Sequence, residues 1–267
     1  MTRPRTYCLT RFLAALAVAT VANAAIAAPE TDAETGAGLP FEVGERVEFR
    51  LRWGFIMAGK AVLEVHEPTE IGGVPAHHFS TSIRTTGLAD KVYRVRTRID
   101  SYVTLDGRRT LHYRKDQHEG KRRADVSVDF DWDQRTATYR DKRKDKTKEP
   151  IDLPETATDM IGALFRFRRM DLSEGEEKTL PVTDGTKIVN GKASLLDTEE
   201  VKVPAGRFRA LKVAPRTSDL SGVFEQSKDS KLHLWFTDDD RHMLVRLSSA
   251  VIVGNFVAEA VDIRPRE

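Results

Sequence analysis

The sequence predicts a mostly β protein: one antiparallel, strongly curved sheet or half-open β-barrel, with a single α-helix over about residues 156–170 covering it. Three observations carry that prediction. Apolar and polar residues alternate with a period of two in many short segments, turn signals separate those segments at regular intervals, and only one stretch shows a helical period instead.

The first of these segments follows a small, acidic and Gly/Pro-bearing leader at 28–40. Val47, Phe49, Leu51 and Trp53 alternate with Arg46, Glu48, Arg50 and Arg52, which places one face in a core and the other in water. Ala61, Leu63 and Val65 repeat the pattern against Lys60, Glu64 and His66, as do Phe79, Thr81 and Ile83 against Ser80, Ser82 and Arg84. Tyr93, Val95, Thr97 and Ile99 oppose Arg94, Arg96 and Arg98. The clearest case sets Ala124, Val126, Val128, Phe130 and Trp132 against Asp125, Ser127, Asp129, Asp131 and Asp133. Strands with one wet face belong to antiparallel sheets, because parallel sheets are covered on both sides.

Turn residues punctuate these runs at Ile71-Gly72-Gly73-Val74-Pro75, Leu105-Asp106-Gly107, His118-Glu119-Gly120-Lys121, Asp131-Trp132-Asp133-Gln134 and Val203-Pro204-Ala205-Gly206-Arg207. A further hairpin turn at Asp238-Asp239-Asp240 joins strands predicted at 231–237 and 242–249. Gly54 and Gly59 bracket an apolar Phe55-Ile56-Met57 bend that would let the sheet curve sharply. The helix is read from Met160, Leu164 and Phe167 at i, i+4 and i+7, with Ile161 and Phe165 beside them. A Thr156-x-x-Asp159 pair opens it, and Arg166, Arg168 and Arg169 close it at the negative end of the dipole.

Residues 1–27 read as a cleavable secretory signal peptide. Arg3, Arg5 and Arg11 precede the apolar run Phe12 to Ala22, and Ala-x-Ala sites follow, with cleavage expected after Ala27. The apolar run is too short for a spanning helix, which needs about 20 residues. The mature chain, 28–267, is then a single β-rich domain from 41 onward in the periplasm, not membrane-spanning. Cys8 leaves with the signal peptide, so an apolar core and not disulfides must hold the fold. Cleavage leaves 40 basic and 41 acidic residues, which removes the electrostatic support for nucleic acid as a partner.

The residues offer no metal, cofactor or catalytic constellation. His77 and His78 are adjacent on a strand and point to opposite faces; His66, His233 and His242 are isolated, and His112 and His118 flank a turn. Asp238-Asp239-Asp240 lacks the spacing of a calcium loop, and neither Gly-x-Ser-x-Gly nor Ser-x-x-Lys occurs. Asp129, Asp131 and Asp133 share a face, which could in principle do acid/base work on a glycosidic bond but reads as a solvated strand facing the basic Arg122 and Arg123. Tyr139 to Lys148 reads as a solvated hairpin end, with an anionic docking patch as the alternative. Arg50 and Arg52 on one strand and Arg94, Arg96 and Arg98 on another would form a basic field if those strands lie close; pairing with Glu48, Glu64 and Asp100 is the competing account.

Four places resemble the DUF3108 family of periplasmic proteins: Trp53-Gly54-Phe55-Ile56-Met57-Ala58-Gly59, Tyr93-Arg94-Val95-Arg96, Val203-Pro204-Ala205-Gly206-Arg207-Phe208, and Leu234-Trp235-Phe236-Thr237-Asp238-Asp239 through Val253-Gly254. The resemblance spans about 41–263 and implies a periplasmic, β-rich domain, with no catalytic residues to carry over. The functional expectation is a non-catalytic envelope protein binding an amphipathic or anionic ligand, a lipid or glycolipid, or a partner protein. Trp53, Phe55, Met57, Arg94, Arg96 and Arg98 are the expected contact residues. A glycan-acting hydrolase or transferase and a scaffold of an envelope complex are the alternatives.

Overall fold

The computed structural model describes residues 38–171, 173, 175–215, 232–250 and 255–264; the segment expected to be a signal peptide, 1–27, and most of the expected leader, 28–40, lie outside these. Among the described residues fifteen strands form one sheet. In chain order they are β1 (Arg46–Trp53), β2 (Ile56–Ile71), β3 (Val74–Thr85), β4 (Val95–Thr104), β5 (Thr110–Glu119), β6 (Arg122–Asp131), β7 (Thr136–Asp141), β8 (Lys146–Thr147) and β9 (Ile151–Asp152). After them come β10 (Glu177–Thr183), β11 (Ile188–Val203), β12 (Gly206–Pro215), β13 (Leu232–Thr237), β14 (Leu244–Ala250) and β15 (Asn255–Arg264). Among the described residues two short helices interrupt them, α1 (Gly87–Val92) and α2 (Met160–Phe167).

Every strand pairs antiparallel with its neighbours, in the order β10 to β15, then β1 to β8, with β9 beside β7. The meander therefore joins its last strand to its first: β15 hydrogen-bonds β1 along the whole length of β1. The alternation read from the sequence fixes which face is inside. Val47, Phe49 and Leu51 are buried, as are Phe79, Thr81 and Ile83, then Val95, Thr97 and Ile99, and Ala124, Val126, Val128 and Phe130.

The turns behave as their residues require. Gly72 and Gly73 form a two-residue turn with φ of 59° and 82°, open to glycine at both positions, so Ile71 pairs with Val74. Gly59 serves the curvature differently from the expected hinge, because a Cβ there would lie 2.2 Å from the carbonyl oxygen of Arg84 and would push β2 off β3. Register shifts at Glu48/Phe49, Leu51/Arg52, His66/Thr69 and Tyr102/Val103 add local twist.

The sheet curls until its two flanks meet across the segment that precedes α2. Thr110 N–H donates to Ala157 C=O on one side, while Thr158 N–H donates to Pro181 C=O and Thr183 N–H to Thr158 C=O on the other. Asp159, buried, fixes this seam: it accepts from Ser101 Oγ at 2.5 Å and Thr110 Oγ1 at 2.8 Å, and caps α2 through the N–H groups of Ile161 and Gly162. Burial pushes its carboxyl upward and these four donors pull it back.

The helix differs from the expected 156–170. Ala157 and Thr158 are held in the seam, so Asp159 and not Thr156 is the cap, and the last residues tighten into turns, with Arg169 N–H on Arg166 C=O. The late start also rotates the buried face: Ile161, Phe165 and Phe167 point inward and Met160 is exposed. Phe165 stacks on Phe79 with centroids 3.8 Å apart, and Phe41 meets both edge-on. Beside them Arg168 is locked in a buried fork on Glu45 at 2.6 and 3.0 Å, and it also donates to Pro40 C=O and Arg241 C=O. This half of the interior is filled with side chains. Helix α1, outside the single-helix expectation, occupies the β3–β4 connection, so Tyr93 and Arg94 precede β4 instead of opening it.

Candidate functional site

The polar part of the interior lies on β5. Lys115, Gln117 and Glu119 are all buried and all point inward, in line with Tyr113. Their placement follows from the Gly120-Lys121 turn, which pairs Glu119 with Arg122, hence Gln117 with Ala124 and Lys115 with Val126. Residues opposite one another in an antiparallel pair share a face. The apolar row of β6 therefore carries the polar row of β5 into the core with it. Gly120 is held at φ 56°, and a Cβ there would strike the Tyr93 ring at 2.3 Å.

A cavity of about 90 Å³ opens beside this row, roofed by the β10–β11 loop from the opposite flank. Gly185 in that loop has φ +80°, and a Cβ would lie 2.5 Å from Val128, so only glycine brings the loop down onto β6. Lys115, Arg122, Lys144 and Lys148 line it together with Asp184, and Lys144 is paired with Asp141 at 3.0 Å. Asp184 is occupied by the N–H and hydroxyl of Thr186, and Lys148 lies 5.3 Å above the Tyr139 ring. Burial, helped by the neighbouring charge of Arg122, pushes the Lys115 ammonium down to about 8. Burial raises the Glu119 carboxyl. The side-chain oxygen of Gln117, fully buried, meets no donor among the described residues. Such a volume admits a few waters or one small oxyanion. The arrangement can hold an anion against the buried Lys115 ammonium, with the solvent-exposed Arg122 and Lys144 beside it.

The residues expected from the sequence to contact a ligand fall elsewhere. Trp53 is half-buried against the core, while Phe55 and Met57 stand in solvent at the β1–β2 turn. Arg94 is exposed; Arg96 forks onto Asp90 at 2.7 and 3.1 Å, and Arg98 onto Asp100 at 3.0 and 2.7 Å. β1 and β4 are separated by β2 and β3, and Arg50 and Arg52 both reach Glu259 of β15, a partner with no counterpart in the Glu48 and Glu64 expectation. Among the described residues no group of three His, Cys, Asp or Glu is placed to hold a metal ion. His66 is less isolated than its sequence position suggests, since it stacks on His78 at 4.3 Å across β2 and β3. Asp129 pairs with His112 and Arg140, and Asp131 receives the N–H of Gln134.

A family model described as a protein of unknown function, DUF3108, matches residues 48–261. The chain belongs to the DUF3108 family. Among solved structures, this DUF3108 chain is similar to a β-barrel-like protein of another domain of unknown function, DUF1849, from Brucella abortus, with a TM-score of 0.52 and 9% identity over 84% of this chain and 98% of that one. That likeness shows the shared barrel-like fold. A Bacteroides fragilis protein with a YmcC-like fold, described as exported, aligns at a TM-score of 0.33 and 9% identity over 85% and 98% of the two chains. A hypothetical protein of Chlamydia trachomatis aligns at 0.37 and 8% over 85% and 90%. The search of curated proteins finds no match. Among the described residues of the DUF3108 chain, no helix is long and apolar enough to cross a membrane.

Proposed function

We propose that the protein is a non-catalytic, periplasmic binding protein of the cell envelope, whose cavity beside β5 takes the anionic head of an envelope ligand such as a phosphorylated lipid or glycolipid. The observation that supports this reading is the cavity's charge. Four cationic side chains line the cavity, of which Lys144 is already paired with Asp141 at 3.0 Å, and Lys115 among them is buried, so an entering anion would meet an ammonium shielded from water. The signal-peptide pattern at 1–27 supports export. Arginine and lysine around a pocket recognise phosphate by charge and by paired hydrogen bonds, and the unpartnered oxygen of Gln117 would accept from a hydroxyl beside the anion.

Titration of the purified protein with inorganic phosphate and with glycerol 3-phosphate, followed by phosphorus NMR, tests the reading. Binding that weakens by roughly tenfold or more in Lys115→Met supports it. Equal binding by the wild type and Lys115→Met, or none by either, refutes it. Mass spectrometry of ligand carried through purification then identifies the natural anion.

A further inference from the structure

In an antiparallel meander alternate connections lie at the same end, so the β1–β2 turn, α1, the β5–β6 turn and the β7–β8 turn share one rim of the barrel. That rim collects apolar side chains. The four most exposed large hydrophobic residues among those described are all there: Phe55 at 103%, Leu88 at 74%, Val92 at 68% and Ile56 at 53%. Leu88 and Val92, at i and i+4, share the outer face of α1, while Ala89 is buried. Thr86 N–H donates to Ala58 C=O and so ties the start of α1 to the first residues of β2.

Just behind the rim a single register row crosses six strands on the outer face: Arg50, Lys60, Arg84, Arg96, His118 and Arg123 lie side by side from β1 to β6. Like charges directly opposite destabilise a sheet. Arg50 and Arg96 are offset by Glu259 and Asp90, but Lys60 and Arg84 face one another with no carboxylate within ion-pair distance among the described residues. The next row inward, Glu48, Val62, Ser82, Arg98, Asp116 and Asp125, carries more acid than base. Positive charge is therefore segregated to the band beside the apolar rim.

We infer that this rim is a membrane-docking face, which inserts Phe55, Ile56, Leu88 and Val92 into the interfacial zone of an anionic phospholipid bilayer while Lys60, Arg84, Lys91 and Arg94 contact the headgroups. An apolar tip backed by cations is the pattern of proteins that lie on anionic membranes. A second copy of the chain fits the rim less well, since two copies meeting there would bring their basic bands together. This docking face is independent of the cavity; either can fail alone.

The test is cosedimentation of the purified protein with vesicles of phosphatidylglycerol and phosphatidylethanolamine, compared with neutral phosphatidylcholine vesicles. The wild type should bind the anionic vesicles, and Phe55→Ser with Leu88→Ser should weaken that binding by about tenfold or more. Lys60→Glu with Arg84→Glu should weaken it by roughly fivefold or more per charge and abolish the preference for anionic lipid. Phe55→Trp should show a blue-shifted emission on binding. All these positions are exposed, so far-UV circular dichroism and the melting temperature should stay at wild-type values. Absence of vesicle binding by the wild type overturns the inference, as does binding that survives the apolar pair of substitutions. Wild-type self-association that Phe55→Ser with Leu88→Ser abolishes, without any vesicle binding, likewise overturns it in favour of a dimer.

Discussion

Arg168→Met removes the guanidinium at the closed end of the interior while keeping most of the side-chain stem. In the wild type the Arg168 and Glu45 side chains are 1% and 2% exposed, and the guanidinium also serves two backbone carbonyls, those of Pro40 and Arg241. The substitution leaves Glu45 buried with Arg241 at 3.2 Å as its remaining ion-pair partner among the described residues, and strips both carbonyls of this donor. Removing one partner of a buried pair costs about 3–5 kcal/mol. For a domain of this size, each kcal/mol lowers Tm by roughly 2–4 °C, so the melting temperature should fall by about 10 °C. Thermal unfolding followed by circular dichroism measures it. The double variant Glu45→Leu with Arg168→Met should recover part of the loss, because the penalty lies in the stranded carboxylate more than in the missing attraction. A fall of less than about 3 °C, or a double variant no more stable than the single one, would refute the view that this pair ties α2 to the Pro40–Glu45 segment and the β13–β14 turn.

Lys115 titrates near 8 in the folded protein and higher in the unfolded chain, so between those values the unfolded state holds the extra proton. Unliganded stability should therefore rise with pH from about 8 upward relative to Lys115→Met, while phosphate affinity falls over the same window as the ammonium is lost; parallel curves for the two proteins would count against a buried lysine. Gly185→Ala forces the β10–β11 loop off Val128 and strains its φ, and should weaken phosphate binding with a loss of only about 1–2 kcal/mol in stability, read by titration and chemical unfolding. Asp159→Ala leaves the hydroxyls of Ser101 and Thr110 without their acceptor and uncaps α2. It should cost about 3 kcal/mol, against less for Asp159→Asn, measured by urea unfolding.

The barrel was legible because its apolar rows alternate cleanly, and those rows are the ones the structure buries. The candidate cavity was not, because β5 is polar on both faces: Lys115, Gln117 and Glu119 look no more inward-facing than Arg114, Asp116 and His118. The information was present indirectly. The glycine turn at 120–121 sets the register, and with the apolar face of β6 known, the polar row of β5 had to face the same way. The helix boundaries were missed because a tertiary seam at Ala157 and Thr158 outcompetes the local capping preference of Thr156. The band of cations across β1 to β6 needed knowledge of which strands neighbour which. From the arginines alone, β1 and β4 were two separate rows; Lys60 and Arg84 on the intervening strands join them.

The pairing of β15 with β1 has a kinetic consequence. Arg50 meets Glu259 across a separation of 209 residues, so β1 has one edge that cannot be satisfied until β15 has left the ribosome. Until β15 is made, β1 exposes a row of open backbone groups to any passing extended segment. Assembly should be slow, with loop closure as the delaying step, and a partly made chain should be prone to stick to others. A circular permutant that links residue 264 to residue 46 and opens at the β7–β8 turn would turn that contact into a local hairpin, and it should refold faster than the native order.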